Sequence, residues 1–75
     1  LKSRHAQQEE TLHAFLDKRQ QRGEIPAGKN TEELAQFLSC ILRGMSITAR
    51  EGAGYDKLMQ ISATTLRLWP EMLKD

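Results

Sequence analysis

Along residues 30–51 the polar positions Gln36, Ser39, Arg43, Ser46 and Arg50 recur at three- and four-residue intervals. At about 100° per residue they fall on one narrow strip of a helix. Nearly everything between them is apolar or small: Leu34, Ala35, Phe37, Leu38, Cys40, Ile41, Leu42, Gly44, Met45, Ile47, Thr48 and Ala49. This arc is far wider than the single stripe of a surface helix, so one neighbouring helix cannot cover it. Asn30 is placed to cap the helix, with Glu33 three residues on completing a capping box, and Gly52 is placed to end it.

The segments on either side read as helices too. A first helix at about residues 2–22 has Leu12, Phe15 and Leu16, with Leu1 just before it, as one apolar stripe, and His5 and Gln8 also fall on it. Residues 54–69 carry a polar strip of Asp56, Lys57, Gln60, Thr64 and Arg67. The opposite arc holds Tyr55, Leu58, Met59, Ile61, Ala63, Leu66, Leu68 and Trp69, with Ser62 and Thr65 among them. Pro70 predicts a stop after Trp69, because proline disfavours helical geometry in the residue before it. Gly54 is a weak substitute for a capping side chain, so this helix is expected to fray at its start. No stretch alternates with period two. The breaks are Gly23-Glu24-Ile25-Pro26-Ala27-Gly28 and Gly52-Ala53-Gly54.

The predicted class is all-α: three helices at about 2–22, 30–51 and 54–69, the last two forming an antiparallel hairpin across the short glycine link. Both helices of that hairpin hold more apolar surface than three helices can bury. Pairing with a second chain as a four-helix bundle removes the excess, and preceding helices outside this chain are the other way to cover it. A chain of 75 residues points the same way. A core this small usually needs a disulfide, a metal or a partner for support. The single Cys40 cannot close an internal disulfide, and the spacing of His5, His13 and Cys40 suits no metal site, so a partner chain is expected. No cofactor is expected.

Charge and chemistry narrow the function. The net charge is +1 with acids and bases interspersed, which is no footprint for nucleic acid. No carboxylate pair, nucleophile with base or phosphate-cradling loop appears, so an enzyme is not expected. No apolar run is long enough to span a membrane, no signal peptide is present, and the lone cysteine fits a reducing, cytoplasmic setting. The chain opens on Leu1 and reads as a piece of a longer protein whose other part precedes it.

The run Arg43-Gly44-Met45-Ser46-Ile47-Thr48-Ala49-Arg50-Glu51-Gly52-Ala53 resembles a C-terminal signature of TetR-type bacterial transcriptional regulators. In that family a Gly-Leu/Met-Ser/Ala-x-x-Ala-Arg-x-Gly-Ala run ends the penultimate helix. Gly23-Glu24-Ile25-Pro26 resembles the link before that helix, Glu33-Leu34-Ala35-Gln36-Phe37-Leu38 its opening, and Leu66-Arg67-Leu68-Trp69-Pro70 the end of the final helix. Gly54 departs from the pattern, which often has Ser there. The resemblance implies that residues 1–75 are part of a C-terminal regulatory and dimerisation domain, with the helix-turn-helix domain absent. It further implies a homodimer, a small-molecule effector, and operator DNA contacted only through the missing N-terminal domain. The parent protein would be a repressor released from DNA by that effector. The alternative is a generic helical protein–protein interaction module.

Gly44 gives up about 1 kcal/mol of helix propensity against Ala, and a close helix approach is the natural compensation. The expected dimer interface is therefore Phe37, Ile41, Gly44 and Thr48 with Leu58, Ile61, Thr65 and Leu68. Leu38, Leu42, Met45 and Ala49 would face the same subunit, unless the two sides are reversed. His5, Gln8 and Leu12 are candidate pocket residues, His5 and Gln8 having exposure as the plainer reading. Cys40 is expected as an inert, buried thiol, the methionines Met45, Met59 and Met72 as gap fillers, and Arg43 and Arg50 as solvated. Trp69 reads equally as an interface anchor or as a lid on the core.

Overall fold

The computed structural model describes residues 1–74; residue 75, the last of the expected domain, lies outside the described residues. Three helices follow in order: α1 (Arg4–Gln21), α2 (Thr31–Arg50) and α3 (Tyr55–Met72). No strand occurs among the described residues.

Each boundary has a local cause. Ser3 caps α1, its Oγ accepting from the Ala6 N–H at 3.1 Å, so the helix opens two residues later than the apolar pattern suggested. Asn30 caps α2 with its Oδ1 accepting from both Glu32 and Glu33 N–H, at 3.0 and 3.2 Å. The return bond from the Glu33 side chain, expected of a capping box, is not formed. Gly54 opens α3 without a side-chain cap, leaving its first N–H groups to solvent. Helices α1 and α2 both end on a glycine with positive φ, Gly23 at 82° and Gly52 at 100°. In each the two following turns close the same way: Glu24 N–H to Arg19 O at 3.0 Å, and Ala53 N–H to Thr48 O at 3.2 Å. An L side chain at Gly52 would be strained although the space around it is open. Gly52→Ala should cost about 1 kcal/mol and lower the melting temperature by about 5 °C, read by thermal circular dichroism.

Pro70 does not stop α3, which continues to Met72. A proline in the last turn removes only one backbone donor, and the chain recovers at once: Leu73 N–H reaches Trp69 O at 3.2 Å. The extra turn also keeps Trp69 and Leu73, four residues apart, on one side, where both pack on the core.

The core itself is minimal. Leu16, Ile25, Leu34 and Ala35 are its buried residues, with Leu12, Leu38, Trp69 and Leu73 packed around them. Helix α2 lies mainly against α1, and its buried side carries small residues one turn apart, Thr31, Ala35 and Ser39. The Thr31 hydroxyl donates to Asp17 on α1. Gln20 organises the linker: its Nε2 donates to Pro26 O and Lys29 O, each at 2.9 Å. The far end of α3 returns to the start of α2, where the Lys29 ammonium donates to Lys74 O.

Several side chains sit where the helical wheel did not put them. Ser39, assigned to the polar strip, is buried, and Cys40, assigned to the core, is exposed. The wheel ranks polarity, whereas the close α1–α2 approach selects for size, so the smaller hydroxyl goes in. Leu1 and Phe15 share no buried face with Leu16; both are exposed, Leu1 because α1 begins after it. Leu42, placed on the side facing its own subunit, is exposed as well.

The molecule is a flat plate of 39 × 35 × 16 Å, its short dimension about one and a half helix diameters. Its accessible surface is 5746 Å², against about 4700 Å² for a compact monomer of 8.6 kDa. Its radius of gyration is 13.7 Å, where about 11 Å is usual for this length. Stable domains stack at least two layers of secondary structure around a core, and this chain by itself makes one.

Candidate functional site

The incomplete burial is concentrated on α3. Not one of its residues is fully buried, although Tyr55, Met59, Leu66 and Leu68 are all large and apolar and all at least half exposed or nearly so. Two hollows flank the helix.

The larger, about 710 Å³, runs between α2 and α3. Phe37 and Ile41 form its α2 wall, and Ile61, Thr64, Thr65, Leu68 and Met72 its α3 wall. Lys57, Gln60 and Glu71 stand along it. Phe37 is 44% exposed and Leu68 51%, so the lining is apolar and wet. Of the expected interface residues, this groove brings together Phe37, Ile41, Ile61, Thr65 and Leu68. Gly44 and Thr48 continue the Phe37–Ile41 stripe of α2 beyond the groove. Leu58 is half-buried and does not line it. Around Gly44 the chain is open: a Cβ built there would meet nothing within 4 Å. No contact inside this chain accounts for the glycine.

The smaller hollow, about 360 Å³, lies on the other side, between α1 and α3. Leu12, Phe15 and Leu16 of α1, Ile25 of the linker, Leu38 of α2 and Leu66 and Trp69 of α3 line it. At its rim the Arg19 guanidinium lies 3.1 Å from Glu24 Oε2 and 4.8 Å from the centroid of the Phe15 ring, a cation–π arrangement. Leu12 thus borders this cleft, but His5 and Gln8 do not; both are exposed on the first turns of α1. Trp69 serves both as a wall here and as packing for the core.

The sequence pattern does not single out Arg19 or Glu24, and it places Ser39 on the polar strip rather than in the core. The first two act together only because the Gly23 turn folds the linker back by α1. The signal for Ser39 was its spacing, four and eight residues from Ala35 and Thr31. Its Oγ has no hydrogen-bond partner, an arrangement that costs about 1–3 kcal/mol and is tolerated for the sake of the close helix approach. Arg43 and Arg50 are exposed, as expected of solvated side chains. No group of His, Cys, Asp and Glu among the described residues could hold a metal ion. No helix of the structure is long and apolar enough to cross a membrane.

No family model matches the chain, and no solved structure does. One curated protein is closely similar. Over 74 residues, 99% of this chain, the sequence is 65% identical to the HTH-type transcriptional repressor ComR of Escherichia coli (strain K12). The chain spans 35% of that protein's length. Identity this high over the whole of the three helices leaves no room for coincidence, and the chain is a homologue of about a third of a transcriptional repressor.

Proposed function

We propose that this chain is the dimerisation part of a TetR-type transcriptional repressor, with α2 and α3 forming an antiparallel hairpin that packs on the same hairpin of a second copy as a four-helix bundle. The observation that carries this reading is the single-layer fold, whose α3 buries none of its residues fully and faces an apolar groove of about 710 Å³. A second layer across a two-fold axis supplies the missing side of the core. The stripe of Phe37, Ile41, Gly44 and Thr48, exposed or half-buried along its length, is the α2 contribution, and Ile61, Thr65 and Leu68 are that of α3. The homologous repressor adds the functional frame. Operator DNA is read by a helix-turn-helix outside these residues, and a small-molecule effector releases it. The cleft at Leu12, Phe15, Leu66 and Trp69 is the part of this chain that offers such a molecule an apolar wall.

Sedimentation and thermal melting over a wide concentration range test this reading. A chain that gains its second layer by association should be dimeric, with a melting temperature that climbs with concentration. A monomer at every concentration, melting at one temperature, would overturn the proposal.

A further inference from the structure

We propose that Lys57 and Glu71 set the register of the homodimer, Lys57 of one copy pairing with Glu71 of the partner subunit and the reverse. The inference rests on the dimerisation reading above and adds to it the orientation and alignment of the two α3 helices.

Lys57, Thr64 and Glu71 are spaced by sevens, so they share one stripe of α3. All three border the larger groove, and Lys57 and Glu71 are the charged residues among its lining. Their separation along the axis is about 21 Å, which sets them at opposite ends of the helix. Between them the groove is uncharged, with Thr64 and Thr65 at the centre, Ile61 and Leu68 on either side, and Gln60 beside Ile61. A two-fold axis crossing α3 near Thr64 reverses the second helix. It then lays Ile61 beside Leu68 of the partner subunit and Lys57 beside Glu71 of the partner subunit. A parallel alignment instead faces Lys57 with its own copy and Glu71 with its own copy, and like charges in register are destabilising. The charge pattern therefore selects the antiparallel alignment, and a slip of one helical turn separates both pairs.

The two groups are available for this contact. Lys57 has no ion-pair partner among the described residues. The Glu71 carboxylate accepts from Lys74 Nζ at 3.1 Å through Oε1, leaving Oε2 for a second cation. That local pair is about two-thirds exposed on both sides and holds Glu71 only weakly.

Charge reversal provides the test. Lys57→Glu adds an acid to the first turn of α3 and Glu71→Lys a base to the last, both favourable to the helix dipole, and the exposed Glu71–Lys74 pair that Glu71→Lys gives up is worth little within the chain. Any loss of dimer then arises between chains, and circular dichroism checks that helix content is retained. Each single reversal creates two like-charge contacts and should raise the dimer dissociation constant about tenfold. An equimolar mixture of the two variants should restore parental affinity as a heterodimer, in which every facing pair is again opposite in sign. The double variant K57E/E71K should do so by itself. Variants that dimerise like the parent, or a mixture no tighter than its components, would overturn the register while leaving the dimer in place. A monomeric parent would overturn both.

Discussion

Leu16→Ala should leave the chain largely unfolded. Leu16 is 3% exposed and belongs to a core with only Ile25, Leu34 and Ala35 beside it. Truncating a buried leucine costs about 2–5 kcal/mol, and a chain below about 70–80 residues rarely holds more than 3–5 from its core. Nothing can collapse into the space, since Ala35 is already fully buried and small and the linker at Ile25 is tied to Gln20. Far-UV circular dichroism should show most of the helix signal lost at room temperature, returning only at high protein concentration. Phe15→Ala is the matched control. Phe15 is adjacent in sequence and larger, but 50% exposed, so its loss should cost about 1 kcal/mol from the partial burial and the Arg19 stacking. A Leu16→Ala variant with the parent's urea midpoint would show that this cluster is not what holds α1 to α2.

The contrast between Phe15 and Leu16 marks how far the chain can be read before it is folded. Helix number and approximate span follow from apolar periodicity and from Asn30, Gly23 and Gly52, because these act within one turn of the backbone. The end of α3 was misplaced for the reason that a proline's local rule yields to tertiary packing of Trp69 and Leu73. Which side of a helix faces which neighbour was the least legible feature. Phe15 and Leu16 lie on one apolar stripe, yet only Leu16 is buried in the core and Phe15 stays half exposed. Ser39 and Cys40 take each other's expected places because the α1–α2 contact favours the smaller side chain even at the cost of one unpartnered hydroxyl. The groove was legible to a larger degree. Phe37, Ile41, Ile61, Thr65 and Leu68 converge on it because an excess of apolar surface over available neighbours is a property of composition and period together. The ligand candidates share that difficulty, since a cleft formed by α1, the linker and α3 depends on folding that no single wheel contains.

Gly44→Leu should push the two kinds of stability in opposite directions. Within one chain the change is favourable. Leucine is a better helix former than glycine by about 0.5–1 kcal/mol, and a Cβ at this position meets nothing of its own subunit within 4 Å. The helix of the isolated subunit should therefore be strengthened, not damaged. Between chains the change is unfavourable if α2 approaches its partner at Gly44, because four added carbons must fit where a backbone had come close. Overpacking of that kind costs about 1–3 kcal/mol per contact. A two-fold interface repeats the contact, so the dimer dissociation constant should rise about a hundredfold. Arg43→Leu supplies the same side chain one residue away on an exposed side of α2 and should leave association unchanged. Sedimentation equilibrium on the parent and both variants separates the effects. A weakened dimer in Gly44→Leu, with normal association in Arg43→Leu, places the crossing at Gly44. Parental association in Gly44→Leu would remove this residue from the interface and move the crossing along the Phe37–Ile41 end of the stripe, where the groove already opens.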